Sequence, residues 1–108
     1  MKQHEYQLVF TTCPDAEAAE RIAQALVNEH HAACINILPI VKSVYRWKGQ
    51  VESAAEYLLI IKSMTRAFDN IRNRILELHP YELPEIIAVP VADGHPDYLA
   101  WIQNPDKT

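Results

Sequence analysis

Two cysteines, five histidines and a scatter of carboxylates bound the chemistry open to this chain. Cys13 falls where a strand-like run gives way to a helix-like one, and a helix N-terminus favours the thiolate that acts as nucleophile or soft-metal ligand. Cys34 lies inside an apolar run and reads as a small core residue; a packed cysteine is also the plain reading of Cys13. The histidines are His4, His30, His31, His79 and His95, and no H-x-x-x-H, C-x-x-C or H-E-x-x-H spacing occurs, so no closed zinc site is legible. His30 and His31 are adjacent and would not face one another on a helix. Cys13 and His79 each border the end of an element, which leaves a metal site assembled from distant loops as the way they would meet. Otherwise each histidine is solvated or held in a loop network. A third group carries acid–base potential: Lys42, Glu52 and Glu56 on one segment, His79, Glu82 and Glu85 on another. Placed beside aromatic rings they make a candidate ligand cleft of Lys42, Tyr45, Trp47, Glu56, Tyr81 and Glu85. The alternative is a set of surface ion pairs of little energetic weight.

These residues sit on a small number of legible elements. The run from Ala33 to Lys62 reads as two long strands joined by a turn at Lys48-Gly49, where glycine supplies the positive φ that a short hairpin needs. An arm of fourteen residues would span roughly 45 Å, longer than the body of a small domain. Such a hairpin, carrying Tyr45, Trp47 and Tyr57, invites aggregation unless something covers it. A second copy of the chain is the favoured cover, and a hairpin folded onto its own core with a bulge near Pro39 is the alternative. Before the hairpin, Gln7–Thr12 reads as a first strand. Ala19, Ile22, Ala23, Leu26 and Val27 then recur at helical spacing as far as Glu29 or His30, with Pro14 at the first helical position. After it, Ser63 or Thr65 is expected to cap a second helix, whose inner face is Phe68, Ile71, Ile75 and Leu78 and which His79-Pro80 ends. The HPYELPE loop leads into a long fourth strand element, Ile86–Ala92, with Pro90 at an edge or bulge. Asp93-Gly94 turns into a short helix bearing Leu99, Trp101 and Ile102. The order β-α-β-β-α-β plus a terminal helix predicts an α+β, ferredoxin-like fold with a long β-hairpin. Two helices cover one sheet face, so the other awaits an oligomeric partner.

Length and composition narrow the function. The 108 residues suit one domain spanning residues 1–108. Ten Lys and Arg against 14 Asp and Glu give a net charge of −4, with no basic patch, which argues against nucleic acid as a partner. No run approaches membrane-spanning length, and none at the N-terminus resembles a signal peptide, so no membrane partner and a cytoplasmic location are expected. Two glycines leave no room for phosphate-cradling loops or dinucleotide fingerprints. No nucleophile elbow occurs, and an enzyme is not expected.

The phrases AACINILPIVKSVYRWKGQVE, EYLLIIK, HPYELPEIIAVPV and DYLAWI resemble the CutA divalent-cation-tolerance family, in order and over nearly the whole chain. Matching positions include Cys34, Asn36, Tyr45, Trp47, Gly49, Glu56, Lys62, His79, Pro80, Tyr81, Pro84, Glu85, Tyr98 and Trp101. The resemblance implies a ferredoxin-like subunit in a tight homotrimer, tolerance to copper and other divalent metal ions, and copper ligands from a first-strand Cys and a His-His pair before Pro-Tyr. In this chain Leu78 fills the first His position, and Thr11 fills the Cys position, with Cys13 a little later. His79 carries over as the metal ligand, with Cys13 nearby. The expected function is therefore a trimeric copper or divalent-cation tolerance protein. The alternative is a trimeric small-molecule sensor or adaptor on the plan of the PII signalling proteins, its ligand cleft at the subunit seam.

Overall fold

The computed structural model describes residues 4–107. Four strands and three α-helices follow in the order β1 (Tyr6–Cys13), α1 (Ala16–Asn28), β2 (Cys34–Trp47), β3 (Gln50–Met64), α2 (Phe68–Leu78), β4 (Ile87–Pro90) and α3 (Pro96–Gln103). The strands form one antiparallel sheet in the order β2-β3-β1-β4. This is the α+β, ferredoxin-like arrangement that the element order predicts.

One sheet face is sealed by α1 and α2. Val9, Leu59 and Ile61 of the sheet meet Ala18, Ala19, Ile22 and Leu26 of α1 and Ile71 and Ile75 of α2 in a single buried cluster. Ile22 and Leu26 are fully buried, and each such side chain stabilises the fold by roughly 1.5–3 kcal/mol. The alanines of α1 let that helix lie close to the strands. α1 begins two residues later than Pro14 suggests: Asp15 is its N-cap and accepts a 2.8 Å hydrogen bond from the Ala18 N–H. α2 has no side-chain cap. Thr65 donates its hydroxyl to the His4 carbonyl and Ser63 accepts from Gln7, so tertiary partners claim both expected caps.

The opposite face remains apolar. Register places Leu8 and Phe10 of β1 beside Ile60 of β3 and Val89 and Ile87 of β4, all pointing away from α1 and α2. α3 approaches this side, where the Lys62 ammonium lies 3.5 Å from the Tyr98 hydroxyl. β4 is four residues long, shorter than expected, and lies at a sheet edge. Pro90 is tolerated there because an edge strand has no second neighbour demanding its N–H.

β1 pairs with β3 only from Tyr57 onward, so Gln50–Glu56 and its β2 partner project past the sheet. The molecule is 45 Å along its longest axis. Lys48 and Gly49 have φ of 50° and 82°, the two left-handed residues of a type I′ turn, whose twist matches the strands it joins. Leu38 pairs with Leu58 and Val41 with Glu56, so Pro39 and Ile40 together oppose Tyr57 alone. This bulge holds Ile40 at φ 56°. Its main consequence is parity: every β2 side chain after the bulge lies on the face opposite to the one simple alternation gives.

A carboxylate cleft between hairpin and loop

Ile35 and Ile37 face the helices, but past the bulge Val41, Ser43 and Tyr45 lie on the open face with Glu56 and Thr12. The loop from His79 to Ile86 leaves α2, passes the end of β1 and closes the other side. Between hairpin and loop lies a cleft of about 900 Å³, lined by Thr12, Tyr45, Trp47, Glu56, Tyr81 and Glu85 among others. The structure thus gathers five of the six expected cleft residues. Lys42 is the exception: it pairs with Ala55 on the other face and does not line the cleft, because the bulge reverses it. Arg46, Ser43, Leu83 and Pro84 also line the cleft. Their place follows from the bulge and the loop path, neither of which has a periodic signal in sequence.

At the back of the cleft three side chains are linked by hydrogen bonds. His79 Nε2 lies 2.7 Å from the Thr12 carbonyl oxygen, and that oxygen only accepts, so Nε2 carries the proton. His79 Nδ1 is therefore bare and accepts the Tyr81 N–H at 3.1 Å. The two rings lie 4.8 Å apart. Tyr81 then donates its hydroxyl to Glu56 Oε2 at 2.7 Å. Among the described residues this phenol is the only hydrogen-bond partner of Glu56, which is 5 % exposed.

Electrostatics follow burial. Burial, then the bond to Glu56, raises the Tyr81 phenol above its ordinary value and keeps it a donor. Burial, then the Glu56 charge, raises Glu85 above the usual carboxylate value. Burial lowers His79, opposed by its bond to Thr12, so the ring stays neutral at pH 7. Cys13 is wholly buried in the core, and burial, with Asp15 and Glu56 adding to it, pushes its thiol up to about 11.

The copper ligands expected from sequence do not fit a metal as folded. Cys13 is 0 % exposed and closed to an ion arriving from solvent. Neither ring nitrogen of His79 has a free lone pair. Among the described residues no three His, Cys, Asp or Glu side chains gather closely enough to hold a metal ion. His30 and His31 lie at the far end of α1, with His31 3.6 Å from Glu29.

Comparison with known proteins places this architecture. Residues 7–105 match the family profile described as CutA1 divalent ion tolerance protein. The chain is 46% identical over 97 residues to the divalent-cation tolerance protein CutA of Thermus thermophilus, covering 90% of this chain and 94% of that one. It is 41% identical over 93 residues to Protein CutA of Mus musculus, covering 86% of this chain but only 52% of the mouse protein. The crystal structure of CutA1 from the psychrotrophic bacterium Shewanella sp. SIB1 superposes with a TM-score of 0.92 at 41% identity, covering 99% of this chain and 100% of that one.

Proposed function

The chain belongs to the CutA1 divalent ion tolerance family, and on that premise we propose that it serves divalent-cation tolerance by receiving cations at the Glu56–Glu85 side of the cleft. The observation that carries this reading is Glu56: a carboxylate almost sealed from solvent, with one phenol as its hydrogen-bond partner among the described residues, and with Glu85 near enough that the Glu56 charge adds to burial in raising the Glu85 pKa. Two carboxylates that repel one another favour a cation between them. Oxygen donors suit a hydrated divalent ion, with water completing its shell. Two carboxylates make a weak site, consistent with an ion that is cargo rather than a resident cofactor. The Thermus thermophilus relative is named a divalent-cation tolerance protein, and the small-molecule-sensor reading is set aside.

The working unit we propose is a homotrimer. The apolar open face and the projecting hairpin support it, because an isolated hairpin is marginal in water. Calorimetric titration of Zn²⁺, Mn²⁺ and Cu²⁺ at pH 7.5 tests the cation site. Weak binding that Glu56→Gln reduces and His30→Ala leaves alone is expected; a Glu56→Gln variant that titrates like wild type overturns the reading. Light scattering at micromolar concentration tests the assembly, and a monomer mass would refute it.

A further inference from the structure

We infer that His79 is the positioning residue of the cleft, a neutral strut that sets Tyr81 on Glu56, and not a metal donor. The inference rests on the cleft reading for what Tyr81 serves, and the experiment reads His79 separately from Glu56.

The ring bridges the end of β1 and the loop that follows α2. Its Nε2–H donates to the carbonyl of Thr12, at the end of β1, and its Nδ1 accepts from the backbone two residues onward. That second contact is the geometry an Asn or Asp side chain makes in an Asx turn, with imidazole nitrogen in place of the amide oxygen. The contact fixes the first bend of the loop, and the bend fixes where the Tyr81 side chain starts. Tyr81 leans on the imidazole and reaches Glu56. A histidine does both jobs only as the neutral, Nε2-protonated tautomer. Protonation removes the acceptor at Nδ1, and the other tautomer leaves the Thr12 carbonyl facing a lone pair. Metal at Nδ1 would strip the Tyr81 N–H of its acceptor. Metal at Nε2 would displace the proton that the ring donates to the Thr12 carbonyl, at a residue only 8 % exposed. The strut therefore exhausts the valence of the ring. His79 acts on the cleft through Tyr81, without touching whatever the cleft holds.

Long-range ¹H–¹⁵N spectra of labelled wild-type protein at pH 7.5 test this, with Zn²⁺ as the diamagnetic probe. The expected pattern is one protonated and one bare ring nitrogen, assigned to Nε2 and Nδ1, unchanged when Zn²⁺ is added in excess. An Nδ1-protonated ring, or ring nitrogens that shift with Zn²⁺, overturns the inference. Amide exchange gives a second reading. In His79→Ala the Tyr81 N–H should exchange about three- to tenfold faster, the loss of one hydrogen bond, and His79→Asn should restore protection through its side-chain oxygen. Unchanged exchange in His79→Ala, or Asn behaving like Ala, also overturns it. Should the variants fail to fold, the wild-type spectrum alone carries the test. If Glu56→Gln leaves Zn²⁺ affinity intact while the His79 pattern stands, the cation site fails and the strut survives.

Discussion

Tyr81→Phe isolates the link between loop and hairpin. The substitution removes one oxygen, keeps the ring against His79 and leaves Glu56 without its described hydrogen-bond partner. A hydrogen bond to a charged acceptor contributes about 1.5–3 kcal/mol. Tyr81 is half-buried, and water from the cleft can reach part of the vacated position, so a loss near the lower end, about 1.5–2 kcal/mol, is expected. Urea unfolding at fixed protomer concentration measures it, since an assembling chain has a concentration-dependent stability. A double-mutant cycle with Glu56→Ala separates the bond from packing: if the phenol acts through Glu56, the double variant should lose less than the sum of the two single losses. A loss below about 0.5 kcal/mol would place the phenol among ordinary surface contacts. Losses that simply add would mean that the hydroxyl served packing, and the account of Tyr81 as the partner of Glu56 would fall.

The hairpin turn offers a second test. An added Cβ at Gly49 meets nothing within 4 Å, so Gly49→Ala should lose only the left-handed backbone preference, about 1 kcal/mol, whereas Lys48→Asn should gain a few tenths in the same urea assay. A third concerns pH. Burial holds the His79 pKa below the ordinary histidine value of about 6.5, so the unfolded chain binds the proton more readily. That contribution to stability is present above pH 6.5 and is lost as pH falls through the lower folded value. Stability curves of wild type and His79→Asn should therefore converge in acid, and parallel curves from pH 8 to 5 would contradict it. Glu85 works in the opposite direction. Its raised pKa favours the folded state in acid and weakens it as pH rises through that value, so Glu85→Gln should stabilise the protein at pH 7, as its melting temperature would report.

Local signals in the chain determined the element order, the hairpin and its turn, the inner faces of α1 and α2, and the resemblance to a family. Each rests on interactions between residues close in sequence: helical spacing puts Ile22 beside Leu26 whatever the rest of the chain does, and Gly49 permits its turn by its own backbone freedom. The five cleft residues were legible as aromatic and charged types on two segments, though not as neighbours. Tertiary structure alone decided the rest. The bulge at Pro39 and Ile40 is fixed by pairing with β3, and one extra residue there carries Tyr45 to the face of Glu56 and Lys42 away from it. Whether Ser63 and Thr65 cap α2 depended on Gln7 and His4, more than fifty residues away. The largest difference is at His79. Sequence presents it as a histidine at the end of a helix, free to ligate. Folding brings the Thr12 carbonyl, 67 positions earlier, to 2.7 Å from its ring. A side chain's chemistry is set by what occupies its lone pairs and protons, and those partners are chosen by long-range packing that no local pattern encodes.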